Sequence, residues 1–224
     1  ARLLESTSDD HKRVSSAWRA VTKENSTSTE GHHGLERSLT RMANRDGLAA
    51  AHAALASNEA DPTVSTMHAL LAGHLFENDE ANEKAIKYYR MAFDRTGPRG
   101  QAFDALIRVY CELERSDSIN ALFRQLPEAD EVGRADALID AGATEEALAI
   151  YREAVKEASD DLSALPMLVR YEQSLVQAEK WSLVLECLNR RGLVADEGQE
   201  KAFIQAKQRW LLSERMADSD EAWE

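Results

Sequence analysis

The stretch LIDAGATEEALAIYREAVKEASDD, Leu138 to Asp161, decides the fold. It reads as the end of one helix, a tight turn and a second helix. Ala147, Tyr151 and Ala154 stand at i, i+4 and i+7, which is one face of a helix. Gly142 stands where the first helix should stop. Thr144 with Glu145 and Glu146 looks like a second helix start, acidic in its first turn as the helix dipole prefers. One such hairpin cannot bury its apolar face alone, so it asks for copies on either side.

Copies are present. Working outward, a first unit places Leu35, Leu39 and Met42 inward on a helix over His32–Asn44, then Ala51 and Leu55 on a second helix over Leu48–Asn58, ended by Asp61-Pro62. A second unit begins near Thr66 and carries Ala69, Ala72-Gly73 and Phe76, then Ala85, Tyr89 and Ala92. A third begins near Gly100 with Phe103, Leu106, Ile107 and Tyr110, then Ile119, Phe123 and Leu126 before Pro127. The opening stretch belongs to a fourth, and a fifth begins near Leu165 with Leu168, Tyr171, Leu175, Trp181, Val184 and Leu188. Starts at 32, 66 and 100 are 34 apart; the next two intervals are 28 and 37. A stacked array tolerates such changes because each unit touches only its neighbours, and they are expected to bend it near residues 127 and 162.

The predicted domains follow. Residues 1–31 form a helical segment, starting at Asp9-Asp10 and running to Glu24, and then a polar loop. Residues 32–198 form the array of about five units. In 199–224 a helix with Phe203, Ala206, Trp210 and either Leu211 or Leu212 inward precedes the start of a further unit, cut off at Glu224. Trp210 and Trp223 point to further chain or to helices that pack back.

With 43% hydrophobic and 30% charged residues the chain can build a core, and 10 Gly with 4 Pro disfavour a turn-rich β fold. A net charge of −13 argues against nucleic acid, whose binding rests on cationic neutralisation, and permits a basic partner. Cys111 and Cys187 read as free thiols. No apolar run reaches the length of a membrane span, so no membrane insertion is expected. No phosphate loop, dinucleotide fingerprint or zinc-protease motif occurs. Adjacent His32 and His33 point apart on a helix, and His68 and His74 lack ligand spacing and read as groove or surface residues. No metal, cofactor or catalytic residue is therefore expected, and the chain reads as a non-enzyme.

These residues resemble the tetratricopeptide repeat (TPR) family. The resemblance is carried by Ala72-Gly73, Phe76, Ala85, Tyr89 and Ala92; by Phe103, Leu106, Tyr110 and Phe123; and by Leu138, Ala147, Tyr151 and Ala154. Small residues let paired helices approach, and large ones fill the gap to the next pair. The weaker units depart at Ser38, Glu172 and Arg191. The fold implied is all-α: a right-handed superhelical solenoid of stacked antiparallel helix pairs, with a concave groove lined by the first helix of each pair. Carried over, the partner-binding residues are Met67, Leu70, His74, Glu77, Gln101, Asp104, Arg108, Glu112, Asp136, Asp140 and Gln173.

Five of these are acids and Arg108 is the single base, so the groove is expected to be acidic and to repel a carboxylate tail. The function implied is a protein–protein interaction scaffold for a basic or cationic partner. The acidic groove and degenerate repeats also resemble the periplasmic TPR scaffold of Pel-type exopolysaccharide export outer-membrane proteins. That resemblance implies a polysaccharide-modifying enzyme or a cationic polysaccharide as partner, and a bacterial periplasmic location, with the cytoplasm as alternative. Other functional classes are a regulatory peptide- or small-molecule-sensing module and an enzyme built on an α-superhelix.

Overall fold

The computed structural model describes residues 1–98, 100–158, 162–195 and 198–216. Every regular element among them is helical. In chain order these are α1 (Arg2–Thr7), α2 (His11–Glu24), α3 (Thr29–Arg41), α4 (Arg45–Asn58), α5 (Pro62–Asn78), α6 (Asn82–Thr96) and α7 (Gln101–Glu112). Then follow α8 (Ser116–Phe123), α9 (Glu131–Asp140), α10 (Thr144–Glu157), a 3-10 turn at Leu162–Ala164, α11 (Leu165–Gln177), α12 (Trp181–Val194) and α13 (Gln199–Glu214). The expected segment over Ser159–Asp161 and the expected new unit over 217–224 lie outside the described residues.

The chain forms two compact units. The first is Ala1–Val109 with Gln125–Pro127; the second is Tyr110–Arg124 with Glu128–Glu224. Within each, helices pack on their successors: α2 on α3, α3 on α4, α4 on α5 and α5 on α6 in the first; α8 on α9 and so on to α13 in the second. This is the TPR-like helical-repeat architecture, an all-α solenoid-like fold.

One turn recurs through the chain. The second residue past α3, α5, α7, α9 and α11 has left-handed backbone: Ala43 (φ 50°), Glu80 (57°), Glu114 (54°), Gly142 (78°) and Glu179 (55°). At each, two amides return to the helix just ended. In α9 the Ala143 N–H donates to the Leu138 carbonyl at 2.8 Å and the Gly142 N–H to Ile139 at 2.9 Å. The same two bonds close α3, α5, α7 and α11, which is the Schellman arrangement that satisfies orphaned helix-end carbonyls. Only Gly142 has the residue that adopts this conformation freely; the other four each carry a cost of roughly 1–2 kcal/mol, offset by those bonds.

Helix starts explain where the expected boundaries move. The Ser28 side chain accepts from Gly31 N–H, so α3 begins at Thr29 rather than His32. The Asn44 side chain accepts from Gly47 N–H, so Asn44 caps α4 instead of ending α3. The Asp61 side chain accepts from Thr63 and Val64 N–H, and Pro62 sits in the first turn; this pair starts α5 rather than ending α4.

The core follows the repeat. Ala69, Ala72, Ala85 and Ala92 are fully buried in the first unit, where a Cβ on Gly73 would lie 2.6 Å from the Tyr89 ring. Leu138, Ala147 and Tyr151 are fully buried in the second. The expected inward face of α13 is corrected: Phe203 and Trp210 are 56% and 47% exposed, and Ala206 is exposed too. Ile204 and Leu211, seven apart, form the buried stripe instead, which turns Lys207 toward Glu172 on α11.

Candidate functional site

In the first unit, a cleft of about 410 Å³ opens between α5 and α7. It brings together Leu70, His74, Gln101, Asp104 and Arg108 from the expected groove residues, and adds Leu71, Tyr89 and Ala105. Leu70, Leu71 and His74 share one face of α5; Gln101, Asp104, Ala105 and Arg108 share one face of α7 at helical spacing. Leu71 is 40% exposed, and Met67, one turn before it on α5, is 49% exposed. Glu77 stands at the rim. Its carboxylate accepts from Arg108 Nε at 2.6 Å and Nη2 at 2.8 Å, and from the Tyr89 hydroxyl at 2.5 Å. The Arg108 hydrogen bond holds the Glu77 carboxyl below its ordinary pKa against the opposing effect of burial, and Tyr89 helps. Burial, and then the Glu77 hydrogen bond, push the Tyr89 hydroxyl well up.

In the second unit, Asp136 on α9 has the same surroundings. It accepts from the Tyr151 hydroxyl on α10 and from Arg170 Nη1 on α11 at 2.5 Å. Asp140 and Glu112 are exposed, and neither makes an ion pair among the described residues; Gln173 is exposed on α11. The Cys111 thiol donates to the Ala137 carbonyl at 3.3 Å, and its pKa is raised by burial first and then by Asp140 and Glu112. Cys187 is buried, donates to the Leu168 carbonyl and is pushed up to about 12 by burial. Neither thiol is activated as a nucleophile.

Four acids therefore occupy one recurring position. Glu5 on α1 accepts from the Trp18 indole N–H on α2 at 3.1 Å and from Arg37 on α3 at 2.9 and 3.0 Å. Glu77 takes Tyr89 and Arg108, and Asp136 takes Tyr151 and Arg170. Glu172 on α11 takes Arg191 on α12 and Lys207 on α13. Each acid joins a donor on the following helix to a base one repeat further on. The expected acidic groove is corrected accordingly: two of its five acids, Glu77 and Asp136, are neutralised by bases, and Arg170 is a base beside Asp136 in addition to Arg108. Asp104, Glu112 and Asp140 keep exposed charge. The expectation for His68 also changes, since it is 2% exposed and packs on His52.

Fold and site together define a class, the helical-hairpin repeat proteins, with a cleft opening between the first helices of two successive hairpins. No protein-family model matches the chain, and no curated protein matches it. A solved structure of Naa15/Naa10 bound to HypK-THB contains a chain of similar fold, with a TM-score of 0.56 at 18% identity. That match covers 95% of this chain and 32% of the other, so this chain spans about a third of its length. The crystal structure of BtubC (BKLC) from P. vanneervenii aligns over 98% of this chain and 89% of the other at 14% identity, with a TM-score of 0.28.

Proposed function

We propose that this chain is a protein-interaction scaffold that takes a segment of a partner protein into the α5–α7 cleft. The observation that carries this reading is the cleft itself. It combines apolar wall from Leu70, Leu71 and Ala105 with a polar rim at Gln101, Asp104 and Arg108, the composition of a recognition groove. Leu71 and Met67 offer exposed apolar surface beside it. The similarity in fold to a chain seen in the Naa15/Naa10 assembly bound to HypK-THB agrees with a partner-binding role.

The matching segment carries an apolar side chain for the cleft and a basic residue for Asp104. Beyond the cleft, Glu112, Asp140 and a net charge of −13 also favour a basic partner. A setting in polysaccharide export, with a cationic polymer or a basic enzyme face as the partner, fits the same chemistry; it rests on the sequence resemblance, as does a periplasmic location.

A photo-crosslinking residue at position 101 tests the reading in extracts of the source cell. Wild-type background should yield discrete adducts that Leu71→Asp and Asp104→Lys each reduce about tenfold or more, the scale of removing one well-placed contact. Adducts that both substitutions leave unchanged would move the interface elsewhere. Asp136 is not a suitable probe, because reversing its charge breaks the contacts with Tyr151 and Arg170.

A further inference from the structure

Away from the cleft, the first unit holds five ionisable side chains in one place. His33 and Glu36 lie on α3, His52 on α4, Glu59 just past the end of α4, and His68 on α5. The His33 Nδ1 is 3.3 Å from a Glu36 carboxylate oxygen and its Nε2 is 3.2 Å from Glu59. The His33 and His68 rings are 5.4 Å apart between centroids, and His52 and His68 are 5.1 Å apart and stacked. His33, Glu36 and His68 each offer a ligand atom within 4.8 Å of the others.

A second observation points to a ligand. His68 is 2% exposed, and its Nε2 has no hydrogen-bond partner. Its Nδ1 is 2.9 Å from the Nδ1 of His52. One of those nitrogens donates and the other accepts, so in either tautomer the buried Nε2 is left with an unmet donor or acceptor. Such a group costs about 1–3 kcal/mol unless something meets it.

From this geometry we propose that His33, Glu36 and His68 form a zinc site that ties α3 to α5. Two imidazoles and one carboxylate suit Zn(II). The His68 Nε2 ligates while its Nδ1–H donates to His52, the outer hydrogen bond that fixes a ligand's tautomer. His33 ligates through Nδ1, beside Glu36, and gives its Nε2–H to Glu59, a carboxylate–histidine–metal relay of the same kind. Ligand atoms of a tetrahedral zinc lie about 3.3 Å apart. The His33–Glu36 spacing already meets this, so closure requires a small approach of His68. Glu36 and Glu59 together balance the charge of the ion. Three protein ligands leave the fourth position to water.

The test uses the whole chain, stripped with chelator and dialysed against Zn(II), with Co(II) as a spectroscopic substitute. The expected result is one zinc per chain, a visible Co(II) absorption of tetrahedral intensity, and a thermal midpoint that rises with Zn(II). Glu36→Gln and His33→Gln, both at partly exposed positions, should abolish the rise while leaving the metal-free circular dichroism unchanged. His52→Phe should weaken binding about 10- to 100-fold, the scale of losing an outer-sphere partner. The His11→Gln variant, outside the cluster, should bind as wild type does. No zinc retained by the wild type, or equal zinc retained by the Glu36→Gln and His33→Gln variants, would overturn the proposal.

Discussion

Glu172 is the carboxylate whose loss the fold should feel most. Its side chain is 2% exposed, and its two bases, Arg191 and Lys207, are 6% and 33% exposed. Replacing it by Gln keeps the shape and removes the charge. Lys207 can turn toward water, but Arg191 stays buried with only Glu200, 2.5 Å away and 40% exposed, to balance it. Breaking a buried pair from one side costs about 3–5 kcal/mol. The remaining Glu200 contact places the expected loss near the lower end, about 3 kcal/mol, or roughly 150-fold in a local opening equilibrium. Repeat arrays do not unfold as one unit, so the assay is hydrogen exchange read peptide by peptide. Peptides from α11, α12 and α13 should lose that protection, whereas those from α2, α3 and α4 should not. The double variant Glu172→Leu with Arg191→Met supplies the control. Exchanging a buried ion pair for apolar side chains of similar volume is often neutral or stabilising, so protection should return to within about 1 kcal/mol of wild type. A loss below about 1 kcal/mol in Glu172→Gln, or a double variant no better than the single, would refute the claim that the pair holds these helices as a matched unit.

Two further outcomes follow from other contacts. Burial depresses the pKa values of His52 and His68, so the unfolded chain binds protons more readily at these sites; their contribution is complete above about pH 6.5 and is lost as pH falls through the lowered folded values. In metal-free buffer the thermal midpoint should therefore drop between pH 7 and pH 5, and the drop should shrink in His52→Phe; an equal drop in both would remove His52 as a cause. A Cβ added at Gly34 would lie 2.2 Å from the Trp18 ring, so Gly34→Ala should cost about 1–3 kcal/mol by overpacking, visible as a lower thermal midpoint and altered Trp18 fluorescence; an unchanged midpoint would contradict that close approach.

The helical-hairpin fold could be read because its signals are local. Spacing alone places Ala147 and Tyr151 inward, and both are fully buried. Departures from the repeat pattern at Glu172 and Arg191 were visible too, but not that each compensates the other across 19 residues. What stayed hidden depends on register between helices. Arg108 reaches back 31 residues to Glu77, and Arg170 reaches back 34 to Asp136. An inventory of charges on a face cannot see such pairs, and so it overstated the acidity of the groove. His33 and His68 are 35 residues apart, one repeat, which brings them together on neighbouring helices; ligand spacing within a single helix cannot reveal such a pair. The turns at Glu80, Glu114 and Glu179 gave no sign because a Glu is an unusual residue for left-handed backbone. On α13 the aromatic residues Phe203 and Trp210 suggest one stripe, but the buried one runs through Ile204 and Leu211, one position further on, of which only Leu211 is among the expected inward residues.

The recurring carboxylate has an evolutionary consequence. Glu5, Glu77, Asp136 and Glu172 each draw one donor from the neighbouring helix and one base from the hairpin beyond. Electrical balance is thus shared across a junction and does not belong to any single hairpin. A duplication or deletion that cuts between Glu172 and Lys207 strands a charge on one side, and the cut is survivable only where the new neighbour offers the opposite sign. Hairpins of this chain are consequently not freely interchangeable modules: recombination among them is filtered by the charges at their seams, even where the apolar pattern would accept any order.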